Sequence, residues 1–400
     1  MTSAASLSTL PVLTVPERVH AARVAAHIRD FIAAQGGTIG FDAFMRLALY
    51  APGLGYYSAG ATKFGRNGDF VTAPEISRLF SQCLARQAAE ILAAAGGEML
   101  ELGAGLGTLA ADVLTELALL DCLPAHYYIL EVSADLAERQ RARIARLPGE
   151  LSRRVRWLDR WPERPVRGVV LANEVLDAMP VARFVLRGPP GQQRVRGLGV
   201  AVAGEGFAWR EIDPPAELEH AVNDVVEALP APLPDGYVSE ICLALQPWLS
   251  GVAAHLEEGV ALFIDYGLPR AHLYHPERTA GTLRCHFRHR AHDDPFINVG
   301  LQDITAWVDF TRVAEAADSA GLDVLGFATQ AAFLIGAGME SLLTTEMQLA
   351  DGDLQRQARL AGEARRLMLP GEMGEIFKVI ALGRGHDAPL SGFGTQNLPL

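Results

Sequence analysis

The sequence predicts an α/β protein whose centre is a parallel sheet covered by helices on both faces. Three observations carry this expectation. From Glu98 onward, short apolar runs alternate with helical patterns, the order a parallel sheet needs because each crossover must carry the chain back across it. The run "EMLELG" opens through glycines at 103, 105 and 107 into a helical pattern, a strand–turn–helix junction of the kind that faces a ligand. The chain has 400 residues, half of them hydrophobic and a fifth charged, enough to bury a large core.

Taken in order, the apolar spacing is helical from Val15 to about Leu49. Residues 50–77, "YAPGLGYYSAGATKFGRNGDFVTAPEIS", form a long loop crowded with glycine and aromatic residues, and loops of that length usually serve function or are disordered. The aromatics and "GDF" favour function. At its end Thr72-Ala-Pro-Glu75 fits a capping box with proline in the first turn, opening a helix that runs toward Leu92. "EMLELG" then leads to helix 107–120, "HYYILEV" to helix 134–147, and "RVRWLD" precedes "GVVLANEVLDAMP". An alternating, turn-rich stretch over about 184–215 reads as an inserted antiparallel hairpin or small sheet. Helix 238–257 leads into "GVALFIDYG", and the tail adds a loop (270–302), further helices, "DVLGFAT" and a last strand near "EIFKVIALGRG". The expected division is an N-terminal helical region with a Gly-rich lid loop (1–97), a ligand-binding core (98–270), and a substrate loop with the C-terminal completion of the sheet (271–400).

A net charge of −12 and the lack of any Lys/Arg-rich run argue against nucleic acid as a partner. The acidity suits a cationic substrate. Four scattered cysteines, Cys83, Cys122, Cys242 and Cys285, form no metal-ligand pattern and suggest a reducing compartment. No apolar run reaches the ~18 residues of a membrane span. The opening twenty residues have no basic segment followed by an apolar one, so a secretory signal is not expected; an organelle-targeting reading stays open, although Arg18 is the first basic residue.

The glycine turn is not a dinucleotide fingerprint, because Thr108 stands where the third glycine belongs, and no lysine follows to make a phosphate-binding loop. Acid-x-G-x-G-x-G after a first strand instead resembles motif I of class I S-adenosylmethionine (SAM) methyltransferases, and the expected fold is their Rossmann-like sheet. In that reading Glu101 contacts the methionine amine, while Gly103, Ala104, Gly105, Gly107 and Thr108 lie under the nucleoside. The second strand ends in "LEVS", which places Glu131 to take the two ribose hydroxyls, with Val132 beside it. Asn173, Glu174 and Asp177 in "ANEVLDAMP" lie at the rim where the transferable methyl should point, as candidate catalytic residues, Asn173 also as a cofactor contact. The plain alternative is a polar strand end that caps a helix. Gly68, Asp69, Phe70 and Thr72 are expected to close over the methionine end and exclude water. Substrate contacts are expected from Asp265, His289, Gln302, Asp303 and Asp309, with a merely solvated surface as the plain alternative for the last four. The cluster His286, His289, His292, Asp293 and Asp294 tempts a metal reading, but Pro295 and the strand-like "TLRCHF" spoil a rigid helical spacing, and no metal is expected.

Together "GYYS", "FGRNGDFVTAPEISRLF", "LELGAGLGTL", "LEVS", "ANEVLDAMPVARF", "FIDYG", "GTLRCHFRHRAHDDPFINVGLQDITAWVDF" and "EIFKVIALG" resemble the MidA family of SAM-dependent methyltransferases, from about Ile39 to Leu382. "ATKFG" and "RLFSQ" depart from the family's pattern. The resemblance implies protein arginine methylation with S-adenosylhomocysteine as by-product, a protein acceptor such as a respiratory complex I subunit, and leaves room for a homodimer. It implies a cytoplasmic location for a bacterial-type chain and the mitochondrial matrix for a eukaryotic one. The competing readings are a small-molecule O- or N-methyltransferase on the same fold, an assembly factor that binds SAM without turnover and, more distantly, a nicotinamide-dependent oxidoreductase.

Overall fold

The structure, a computed structural model, describes residues 10–59 and 72–400. The chain forms two compact units, one from residues up to Phe70, Leu176–Leu245 and Pro269–Asp309, the other from Val71–Val175, Gln246–Leu268 and Phe310–Leu400.

The second unit holds the sheet expected from the strand–helix alternation. Its strands are β1 (Glu98–Leu102), β2 (Tyr127–Leu130), β3 (Val155–Leu158), β4 (Val166–Asn173), β5 (Leu256–Leu268), β6 (Asp323–Thr329) and β7 (Phe377–Arg384), side by side in the order β3-β2-β1-β4-β5-β7-β6. The pairs from β3 to β5 are parallel; β7 runs antiparallel to both β5 and β6. The sheet is therefore mixed, the parallel core being completed by a reversed strand from the tail. The strand order reverses between β1 and β4, so connections diverge there and leave a crevice beyond the carboxyl ends of the strands. β4 and β5 are buried along nearly their whole lengths, as strands covered on both faces must be. Three helices matter below: α1 (Arg78–Ala95), α2 (Thr108–Leu119) and α3 (Ala134–Ile144). Phe80, Ile91, Leu114, Val169, Leu262 and Val379 belong to one continuous core.

The first unit has a five-stranded antiparallel sheet, in which Thr38–Gly40, Arg194–Ala203, Ala182–Arg187 and Val238–Ile241 lie in that order and Gly206–Ile212 pairs with Arg194–Ala203. The expected β insertion is thus the middle of a larger sheet. A smaller one orders Arg290–His292, Arg284–Phe287 and Asp303–Thr305. Phe41, Phe44, Tyr56, Val200 and Ile304 share this unit's core.

Three expectations need correction. The stretch 238–257 is not one helix: Val238–Ile241 is a strand whose β-branched ends pair with Ala182–Val185, and the helix starts at Leu245. The N-terminal helical pattern is cut at Gly36-Gly37, giving helices Val15–Ala34 and Phe41–Tyr50 around the strand Thr38–Gly40. The capping box at Thr72 does not form, since its side chain makes no cap hydrogen bond and Glu75 instead accepts from the Thr108 hydroxyl. Ser77, in extended conformation, ends the short helix Ala73–Ile76 and caps α1 by accepting from the Leu79 N–H. No helix among the described residues is long and apolar enough to cross a membrane.

A very close backbone approach in the sheet lies between β4 and β5. Gly259 has φ 131°, and a Cβ there would sit 1.9 Å from the Gly168 carbonyl oxygen. Gly259→Ala must therefore push the two central strands apart, with an expected loss of about 3 kcal/mol or more. Chemical denaturation with a midpoint unchanged from wild type would disprove this.

Candidate functional site

The site in the second unit grows from the carboxyl end of β1. Glu101 is the fourth residue of this strand and is 2% exposed, with its Oε2 accepting from the Tyr127 hydroxyl at 2.7 Å across the β1–β2 pair. Burial drives its pKa from the ordinary 4.5 to about 7; the Tyr127 hydrogen bond opposes the rise and nearby Glu131 adds to it.

Beyond Leu102 the chain turns through Gly103, Gly105 and Gly107 with φ of 67°, 52° and 76°. Gly107 is the left-handed N-cap of α2 and lies against Gln140, 3.3 Å from where a Cβ would be. At Gly105 a Cβ would meet nothing within 4 Å, so this part of the turn presents bare backbone to open space. Such a surface admits a flat ligand at close range. Ala104 is buried beneath the turn and Thr108 starts α2.

Glu131 follows β2 and is half-buried, its Oε1 accepting from the Ser133 N–H at 2.8 Å and its Oε2 from Gln140 Nε2 at 2.9 Å. Val132 beside it is 78% exposed. An anchored carboxylate next to exposed apolar surface suits a nucleoside, with a diol for the one and a ring face for the other.

β4 contributes the third element. Asn173 ends the strand, and its Nδ2 donates to Glu174 Oε1 at 3.1 Å; its Oδ1 is buried without a hydrogen-bond partner. Glu174 has φ 54°, a conformation that side-chain-bearing residues avoid, and its N–H donates to the Ile264 carbonyl at 2.8 Å. Backbone strain of this kind gathers at functional sites. Asp265, next in the chain after Ile264, is fully buried and its Oδ1 accepts from the Tyr266 N–H at 2.8 Å. Glu101, the glycine turn, Glu131, Asn173, Glu174 and Asp265 thus all stand at the carboxyl edge of one sheet. The open face at Gly105, the fixed carboxylate of Glu131 and the orphaned amide oxygen of Asn173 fit a nucleoside cofactor.

Asp177, His289, Gln302, Asp303 and Asp309 lie in the first unit. Asp177 is buried and its carbonyl accepts from the Ala306 N–H at 3.0 Å. Asp303 is buried and accepts from the Tyr57 hydroxyl at 2.9 Å, and Tyr57 stacks on Tyr50 with centroids 5.4 Å apart. Burial first, then Asp303, raises the Tyr57 pKa well above its ordinary value, so Tyr57 stays a donor. Asp309 takes the Nε of buried Arg270 at 3.3 Å, and Gln302 is fully buried with its Nε2 on the Asp294 carbonyl at 3.2 Å. His289 is exposed; it forms with Arg288 the two-residue turn of a hairpin, both at positive φ. Thr72 precedes the short helix that carries Glu75, whereas Gly68, Asp69 and Phe70 lie outside the described residues. Among the described residues no three His, Cys, Asp or Glu side chains are grouped to hold a metal ion, and burial pushes His286 down to about 4.

Sequence reasoning missed Tyr127, Gln140 and Tyr57. Gln140 carried a usable signal, a polar residue on the same helical face as Leu136, Ala137 and Ile144. Tyr57 lies in the loop read as functional and Tyr127 in an expected strand, but neither was singled out, because their partners stand 246 and 26 residues away.

Comparison with known proteins places this geometry in context. A family model for S-adenosyl-L-methionine-dependent methyltransferases matches residues 83–328. The chain is 29% identical over 376 residues to the mitochondrial protein arginine methyltransferase NDUFAF7 homolog of Drosophila melanogaster, spanning 87% of this chain and 82% of that protein. It is 28% identical over 386 residues to the mitochondrial protein arginine methyltransferase NDUFAF7 of Mus musculus, spanning 86% and 81%. A Burkholderia thailandensis crystal structure bound to S-adenosyl-homocysteine is 42% identical, with a TM-score of 0.90 over 98% of this chain and 99% of that one.

The burial of Glu101 makes stability depend on pH. Its folded pKa lies above the unfolded value, so its neutral form is favoured in the fold; that contribution is complete below about pH 4.5 and is lost as pH rises through about 7. Denaturation of Glu101→Gln against wild type should show the variant gaining about 3 kcal/mol relative to wild type between pH 4.5 and 8. A difference that stays flat across that range would show Glu101 to be ionised throughout.

Proposed function

Because the chain belongs to the family of S-adenosyl-L-methionine-dependent methyltransferases, we propose that it methylates arginine side chains of a protein acceptor. S-adenosyl-L-methionine is its methyl donor, supplying an electrophilic methyl group on a sulfonium and leaving as S-adenosylhomocysteine. The observation that carries the arginine reading is the carboxylate of Glu174, held by its strained backbone, by Asn173 and by the bond to the Ile264 carbonyl at the end of the central strand.

A guanidinium is planar, always charged and a poor nucleophile. The enzyme has to turn one nitrogen toward the methyl while holding positive charge on the others, and a fixed carboxylate does both through paired hydrogen bonds. Glu174 is assigned that role, with Asn173 orienting it; the same carboxylate can take the proton released from the methylated nitrogen. Asp177 is assigned to the catalytic group beside Glu174, and Asp265, His289, Gln302, Asp303 and Asp309 to acceptor binding, Asp303 through its bond to Tyr57. Glu101 is assigned to the methionine amine, the glycine turn with Ala104 and Thr108 to the nucleoside, Glu131 and Val132 to ribose and adenine, and Gly68, Asp69, Phe70 and Thr72 to the cover. The relatives named as arginine methyltransferases support the chemistry. The family resemblance points to a respiratory complex I subunit as acceptor and to the relatives' mitochondrial setting or its bacterial counterpart.

The test is transfer of isotopically labelled methyl groups into an extract from cells lacking this gene, followed by mass spectrometry. Label is expected on arginine of a discrete protein, and Glu174→Gln should keep S-adenosylhomocysteine affinity within about twofold while losing about a hundredfold or more in transfer. Label on small molecules alone favours the small-molecule enzyme, and binding with no S-adenosylhomocysteine formed favours an assembly factor. Wild-type transfer by Glu174→Gln removes Glu174 from the reaction.

A further inference from the structure

We propose that Gln140 is a positioning residue that couples the glycine turn to the ribose-binding carboxylate, so that the preference for a ribonucleoside depends on a side chain on α3 that lies behind the binding surface. This rests on the assignment of Glu131 to the ribose.

Gln140 is fully buried on the inward face of α3. Its Nε2 donates to the Gly105 carbonyl at 3.0 Å and to Glu131 Oε2 at 2.9 Å, while its Oε1 accepts from Trp157 Nε1 at 3.1 Å. The indole N–H can only donate, so it fixes which end of the amide faces it and commits both amide N–H groups to Gly105 and Glu131. The amide thus fixes the distance between two otherwise separate elements, the bare backbone at Gly105 and the carboxylate after β2. The second donor to Glu131, the Ser133 N–H at 2.8 Å, comes from the N-cap of the same helix, so the carboxylate is held by two donors tied to α3. Gly107 permits the close approach, since a Cβ there would stand 3.3 Å from Gln140. A bidentate carboxylate–diol contact needs its acceptor plane held to a few tenths of an ångström, and supporting hydrogen bonds of this sort supply that rigidity.

Calorimetric binding of S-adenosylhomocysteine and its 2′-deoxy analogue separates positioning from plain structural support. The proteins are wild type, Glu131→Gln, Gln140→Leu, Gln140→Glu and the Glu131→Gln/Gln140→Leu double variant, all as full chains with thermal melting as the folding control. Gln140→Glu keeps the shape and the acceptor for Trp157 but removes the donor to Glu131, so it carries the test if Gln140→Leu does not fold. Wild type should prefer the ribonucleoside by about tenfold or more, and each Gln140 variant should lose most of that preference with about tenfold weaker binding. The double variant should bind within about twofold of Glu131→Gln alone, because coupled residues are not additive. Equal weakening of both ligands, with the preference intact, overturns the proposal and leaves Gln140 as packing. If Glu131→Gln lowers the preference while the Gln140 variants do not, the ribose assignment stands and the positioning role falls. If Glu131→Gln changes nothing, both fall.

Discussion

The site in the sheet-bearing unit depends on one constraint: after Leu102 the backbone must reverse into a helix while leaving one side bare. Three positive φ values in five residues satisfy it, in differing surroundings. Gly107 yields to the flank of α3, while Gly105 faces open space. The turn is only useful because β1 sits at the point where the sheet's strand order changes direction, so that no crossover helix covers it. Sheet order decides where a ligand fits, and the glycines decide how near it can come.

Around that turn the fold spends stability on polar groups kept at the strand ends. Glu101 is held where its charged form is disfavoured, Asn173 keeps a buried oxygen unpaired, and Glu174 adopts a backbone conformation that its Cβ opposes. Any one of these is tolerable in a protein this size. Their concentration along the carboxyl edge of one sheet is hard to reconcile with a purely structural strand end, and it agrees with the methyltransferase family to which the chain belongs.

Much of the fold was legible in the sequence because the signals were local. The alternation of apolar runs and helical spacing pointed to the sheet, and the glycine turn with Glu131 at the end of the next strand pointed to the cofactor class. What was not legible depended on partners far along the chain. Val238–Ile241 was read as helix because its periodicity over four residues is ambiguous, and only pairing with Ala182–Val185 makes it a strand. Thr72 had every local mark of a cap, yet Glu75 found a better partner in Thr108, a residue of another helix. The Tyr57–Asp303 contact joins segments that no pattern links, and Asp265 gains an antiparallel neighbour only because β7 returns to pair with β5. The roles of individual side chains were harder to read than the elements carrying them, for the same reason.

The position of β7 has a consequence for how the molecule is made. Residues 377–384 are synthesised after β5 and β6, yet they lie between them, so the sheet cannot close as those strands emerge from the ribosome. Until that strand is released, β5 presents an unpaired apolar edge and β6 has no neighbour, an interval during which premature release before residue 377 would yield a sticky product. The chain also passes between its two units five times, so neither can be finished by simple N-to-C order. Folding here is expected to be late and nearly all at once, with chaperone dependence as its cellular signature.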